Sequence, residues 1–236
     1  MVSTGSLSPT AETIFFTAMD LFRENGYIAT NIRQIAERAG VSLGLVNHYF
    51  GSKRQLGYDV LRTLIRYVIA GCDTFFLSRE RDLILVDATE TRAVNDYLSH
   101  GPFRKFYLDT LEEDIFFNYL EKLTSLPLML LQEIYSFTIS ADMALLYCRY
   151  IPYMVEKTLV LKKDQGLFPG ISDADVPYHI FISTYSGRVP QSVLDWADQT
   201  ARDIVPTILS KLEPVPSPAA LQAAGVLPDG NEQAPK

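Results

Sequence analysis

Cysteine and histidine are scarce in this chain: two of the first and three of the second among 236 residues. Cys72 and Cys148 stand far apart and the histidines are scattered, which argues against a metal centre and against a disulfide framework and suits a reducing compartment. Long apolar runs are missing as well. The longest, over 65–72 and 126–131, are short or interrupted against the roughly 20 residues of a membrane span. Residues 1–10 lack the basic and apolar pattern of a secretory leader, so the chain is expected to be soluble, intracellular and without a membrane partner. No glycine-rich phosphate loop and no nucleophile–base pairing appears, so neither catalysis nor a cofactor is expected. Strand-like runs are few. The β-branched stretch 180–185 reads as helix from its neighbours.

Charge is unevenly distributed. The net of −7 argues against nucleic-acid binding by the whole surface. Residues 1–66, however, hold seven Lys and Arg against five Asp and Glu, a net of +2, whereas 67–236 hold fourteen against twenty-three, a net of −9. A weakly basic segment on an acidic remainder fits a protein that touches phosphate with that segment alone.

Helix signals fill most of the chain. Ser8 before Pro9 marks a capped start, and Ile14, Phe15, Ala18, Leu21 and Phe22 recur at helical spacing up to Gly26. Asn31 with Gln34 has the pattern of a capping box, and Ile32, Ile35, Ala36 and Ala39 give the stripe of a short helix that Gly40 ends. Ser42 caps a second short helix with Val46 and Phe50 inward. Ser52 with Gln55 opens a long helix at Lys53. Further breaks are expected at 78–82, 100–102, 125–127, 166–173 and 187–190, and residues 213–236, rich in Pro, Ala and Gly, are expected to be disordered. Two short helices joined by a tight glycine turn and followed by a capped long helix make a helix-turn-helix, in which the first helix braces and the second enters the major groove.

The second short helix presents Leu43, Gly44, Leu45, Asn47, His48 and Tyr49. Asn and His side chains hydrogen-bond to base edges or phosphate, Leu45 suits a thymine methyl, and Gly44 lets the backbone come close. Lys53, at the start of the next helix, adds a charge to free N–H groups and completes an expected phosphate site.

In these residues the sequence resembles the TetR/AcrR family of transcriptional regulators. The pattern runs through Leu21, Phe22, Gly26, Tyr27 and Thr30, then Ile35, Ala36, Ala39, Gly40, Val41, Ser42 and Gly44, then Tyr49, Phe50, Ser52 and Lys53, and it covers about residues 10–58. The resemblance implies a DNA contact by Arg33 and a phosphate contact by Thr30. The family commonly has Tyr where this chain has Asn47, so a phosphate contact there is either lost or replaced by a contact to adenine. It further implies an all-α chain in a bacterial cytoplasm, with a three-helix DNA-binding domain at 8–58, a helical ligand-sensing and dimerisation domain at 59–212, and the tail.

The partners implied are a pseudo-palindromic double-stranded operator, an apolar or aromatic small-molecule effector, and a second copy of the chain. The effector would meet aromatics among Tyr97, Phe103, Phe106, Tyr107, Phe116, Tyr119, Tyr147 and Tyr150. The second copy would pair through the last two helices, about 175–186 and 191–212, with Ala197, Ala201, Ile204, Val205, Ile208 and Leu212 as the stripe. The reading is a repressor released by its effector. A DNA-binding regulator without a ligand, and a thiol sensor using Cys72 or Cys148, remain open alternatives.

Overall fold

The computed structural model describes residues 7–79, 82–120 and 126–228. The expected breaks at 78–82 and 125–127 and the last residues of the tail fall partly outside them. Among the described residues the regular structure is entirely helical. The helices are α1 (Pro9–Asn25), α2 (Ile32–Arg38), α3 (Leu43–Phe50), α4 (Lys53–Phe76), α5 (Leu83–His100), α6 (Arg104–Glu112) and α7 (Ile115–Leu120), followed by α8 (Leu126–Tyr135), α9 (Ala141–Leu145), α10 (Ile151–Asp164), α11 (Val176–Tyr185), α12 (Gln191–Leu209) and α13 (Pro218–Ala223). A π-helical turn, Leu146–Tyr150, joins α9 to α10, and a 3-10 turn, Asp173–Asp175, precedes α11.

The local signals explain the starts. Ser8 Oγ accepts from Ala11 N–H, and the Asn31–Gln34 capping box is reciprocal. At α4 only half of the expected box forms: Ser52 Oγ accepts from Gln55 N–H, while the Gln55 amide turns to the Asp59 carboxylate at 3.0 Å.

The chain packs as two units, one of residues 1–67, 100–116 and 213–236, the other of 68–99 and 117–212. In the first, Ile14, Phe15, Ala18 and Phe22 of α1 form the core with Ile35, Val46, Phe50 and Leu56. Helix α6 completes it. Phe106 stacks on Phe22 with ring centroids 5.2 Å apart, and the Asp109 carboxylate accepts from Ile28 N–H at 2.8 Å. Arg54 donates to the carbonyls of Glu113 and Asp114 at 2.9 and 3.3 Å. The structure thus divides the chain differently from the 8–58, 59–212 and 213–236 expected: α6 packs with the N-terminal helices. The tail is also helical in part, with Leu221 of α13 fully buried. Neither could be read locally, because an amphipathic segment does not name the distant surface that covers it.

In the second unit Ile84 and Ala88 of α5, Leu128 and Leu131 of α8, Phe181 and Tyr185 of α11, and Leu194, Ala197 and Ala201 of α12 form the core. This corrects the expected pairing stripe. Ala197, Ala201, Val205 and Ile208 are at most 2% exposed in the single chain, so no second copy can cover them, while Ile204 and Leu212 of the same stripe are half-buried. The outward face of α12 carries Trp196, Gln199, Asp203 and Thr207 instead. Beside the core lies a charged network. Buried Arg92 of α5 donates to Asp198 at 2.6 Å and to the Ala174 carbonyl at 2.9 Å, and Arg202 bridges Asp198 and Asp175 at 2.7 and 2.8 Å.

Candidate nucleic-acid interface

Helix α2 ends in a Schellman turn. Val41 N–H donates to the Ala36 carbonyl and Gly40 N–H to that of Glu37, with Gly40 at φ 67°. Only a residue without Cβ adopts that conformation cheaply, so Gly40 fixes how α3 leaves α2. Ser42 then caps α3 through Leu45 N–H. Val46 and Phe50 face inward, at 0% and 6% exposed, and a bidentate ion pair between Arg38 and Glu24, at 2.5 and 2.9 Å, ties α2 to the end of α1.

The outer side of α3 is what the sequence leads one to expect: Leu43, Gly44, Leu45, Asn47 and His48 are exposed, and Tyr49 is half-buried with its ring edge-on to His48 at 5.2 Å. A Cβ added at Gly44 would meet only Ser42 Oγ, at 3.8 Å, so packing inside the unit does not demand glycine there. Arg33, on α2, is exposed, and its guanidinium has no hydrogen-bond or ion-pair partner among the described residues.

Two residues expected at phosphate are engaged within the chain. Thr30 is 1% exposed, and its hydroxyl is turned inward to the Gly26 carbonyl at 2.7 Å and that of Leu21 at 3.2 Å. It pins the loop after α1. Lys53 is half-buried. Its ammonium donates to the carbonyls of Tyr27 and Thr30 at 3.0 and 2.9 Å and lies 4.1 Å from the centre of the Tyr27 ring. Burial draws its pKa down, against the pull of Glu113 and Asp109. Lys53 therefore locks the loop between α1 and α2. Lys53→Ala is expected to lower stability by about 2 kcal/mol, the size of lost hydrogen bonds from a charged donor, in a urea titration. The slope of DNA affinity against salt is expected to stay unchanged; a shallower slope would restore Lys53 to the phosphate contacts.

The eight aromatics expected at an effector site divide between the two units. Phe103, Phe106, Tyr107 and Phe116 belong to the first unit and are at most 3% exposed, so they are core there. The other four lie in the second unit. Tyr97 is buried, Tyr119 is half-buried, Tyr147 carries the Arg188 guanidinium 3.4 Å from its ring centre, and Tyr150, exposed, leans on Phe117 at 5.3 Å. A cavity of about 400 Å³ on α11 and α12 has polar walls, Asp175, Tyr178, His179 and Arg202 among them, and includes none of the eight.

Sequence reasoning missed a half-buried polar group of the second unit, Asp87 of α5. Tyr185, itself buried, donates to its carboxylate, and burial pushes the Asp87 carboxyl up to about 6 while that hydrogen bond pulls it back. No local signal marks it, since a lone Asp on an amphipathic helix reads as solvated. Burial also pushes Cys72 up to about 12 and Cys148 to about 11. Both thiols are thus protonated at neutral pH, which removes support from the thiol-sensor alternative. Ser183, a neighbour of His179 in sequence, donates its hydroxyl to the Ile180 carbonyl at 2.6 Å.

Residues 14–57 match the family model described as bacterial regulatory proteins, tetR family. The HTH-type transcriptional repressor Rv3405c of Mycobacterium tuberculosis is 52% identical over 51 residues, which are 22% of this chain and 27% of that repressor. The match thus spans about a quarter of that relative's own length. Two solved structures share the fold. RolR without ligand has a TM-score of 0.58 at 16% identity, over 81% of this chain and 96% of RolR. A gamma-butyrolactone receptor (ArpA-like protein) has a TM-score of 0.51 at 16% identity, over 84% and 97%. Residues 14–57 thus carry the signature of the bacterial tetR regulatory proteins, and the chain shares the all-helical fold of these two solved structures.

Proposed function

We propose that this protein is a DNA-binding transcriptional repressor that acts as a homodimer and is released from its operator by a small molecule bound in the second unit. The observation that carries the DNA-binding part is the outer face of α3, on which Leu43, Gly44, Leu45, Asn47 and His48 are exposed with no packing role, beside the unpartnered Arg33 of α2. Leu45 and Asn47 have the chemistry of base readers, and the space at Gly44 suits close approach of DNA. Arg33 takes over the phosphate role first expected of Lys53 and Thr30.

For an effector, the support is half-buried Asp87 with buried Tyr185: a carboxyl whose surroundings disfavour its charge is found more often at functional positions than in purely structural ones. The repressor match and the gamma-butyrolactone receptor's fold agree with such a role. Pairing of two copies would use the outward face of α12, around Trp196 and Gln199, since the inward stripe is occupied.

Selection of genomic fragments at near-physiological salt, followed by footprinting, tests the reading. A protected inverted repeat, with half-sites one or more helical turns apart, is expected for a dimer. On that fragment Arg33→Ala should flatten the plot of log affinity against log salt by about 1.8, since each lost phosphate contact is worth about 0.9 and a dimer loses two. An unaltered slope removes Arg33 from the interface, and no enrichment, even with cell extract added, overturns the DNA-binding reading.

A further inference from the structure

Residues 213–228 follow α12, a helix of the second unit, yet they pack with the first. The route is visible on α4. Leu212 lies over Gly71, where an added Cβ would come within 3.2 Å of its methyl groups. One helical turn earlier on the same face, the Tyr67 hydroxyl accepts from Glu213 N–H at 3.1 Å.

What comes next is a complete structural motif. The Glu213 carboxylate accepts from Ser217 N–H at 2.6 Å, and Ser217 Oγ caps α13 through Ala220 N–H at 3.2 Å. The helix closes in a Schellman turn, with Val226 N–H donating to the Leu221 carbonyl, Gly225 N–H to that of Gln222, and Gly225 at φ 66°. That turn brings Val226 against Leu221. Leu221 is 0% exposed and Val226 4%, and Pro216 and Pro228 are buried too. An isolated helix of six residues is not stable in water, nor can it bury a leucine completely by itself. Its contacts group the segment with the first unit.

The anchoring point at Tyr67 is fourteen residues past Lys53, on the order of 20 Å along the α4 axis at 1.5 Å per residue. It is therefore remote from the end of α4 that adjoins α3, and the segment is anchored where it acts on packing rather than on access to DNA.

We propose that residues 213–228 are a regulatory strap. Anchored at Tyr67 of α4 and docked through Leu221 and Val226, the strap holds the first unit in the packing that binds DNA. Because it continues directly from α12, it gives the second unit a covalent handle on the first, additional to α4. Release of the strap loosens the first unit and lowers its affinity for DNA.

Amide hydrogen exchange on the full chain and on a chain ending at Leu212 tests this. Without the strap, amides of α1, the first half of α4 and α6 should exchange at least tenfold faster, while those of α8 to α12 keep their rates. Affinity for the selected fragment should fall about tenfold, and a synthetic peptide of residues 213–228 should restore both. Leu221→Asp should behave as the truncation and the exposed Gln222→Ala as the parent. If the shortened chain fails to fold, a protease site inserted beside exposed Val215 lets the strap be cut from the folded protein. Unchanged exchange in the first unit overturns the proposal, and so does tighter DNA binding, which would make the segment autoinhibitory. The affinity measurement rests on the DNA-binding reading and the exchange measurement does not. A full-length chain that binds no fragment therefore counts against that reading, while exchange still decides the strap.

Discussion

Asp198→Ala is expected to destabilise the second unit by about 3–5 kcal/mol, the cost of breaking a buried ion pair by removing one partner. Asp198 is 8% exposed and accepts from both Arg92 and Arg202. Arg92 is 4% exposed, and its Nε already has no partner among the described residues. Without Asp198 the Arg92 guanidinium would keep only the Ala174 carbonyl to offset its buried charge. Loss of a large fraction of total stability follows, because a domain's net stability is only about 5–15 kcal/mol. Urea unfolding followed by far-UV circular dichroism reads the effect. Asp198→Asn keeps an acceptor oxygen and should cost less than half as much. Asp195→Ala, at an exposed position, should cost under about 1 kcal/mol. Equal losses for Asp198→Ala and Asp195→Ala would show that the network carries little of the unit's stability.

The second large effect concerns Asp87 and has the opposite sign. Its carboxyl titrates at about 6 in the folded chain against the ordinary 3.8. Between those values the folded state binds more protons than the unfolded one, so stability falls as pH rises through the window from about 4 to 6, and the loss is complete above it. At about 1.4 kcal/mol per pKa unit the penalty at neutral pH is as much as about 3 kcal/mol. Asp87→Asn, whose amide oxygen still accepts from the Tyr185 hydroxyl, is therefore expected to be more stable than the parent at pH 7.5 and equal to it near pH 4. Urea midpoints of both proteins from pH 4 to 8 give the difference directly, since the other titrating groups are common to both. A variant less stable than the parent at pH 7.5 would mean that the charged carboxylate has a favourable partner in the fold.

These two carboxylates show where reading the sequence stops. Asp87 and Asp198 each lie on an amphipathic helix among other charged residues, and nothing in their neighbours separates them from the solvated Asp195. The partners that decide their energetics, Tyr185 for one and Arg92 for the other, are about a hundred residues away. The same holds for Phe106, read as an effector contact and found stacked on Phe22.

The sequence by itself determined the helix-turn-helix. Its caps at Ser8, Asn31, Ser42 and Ser52, the left-handed turn at Gly40 and the inward Val46 and Phe50 act within a few residues of one another, so local hydrogen bonding and backbone sterics suffice to specify them. It also determined the helical character of nearly everything else, through apolar periodicity. Only the tertiary structure decided that α6 and the strap belong with α1, that Thr30 and Lys53 are turned inward, and that the apolar stripe of α12 is spent within the chain. The physical reason is that apolar burial is non-directional. A stripe specifies that something must cover it, and which surface does so is settled by the packing of the whole chain.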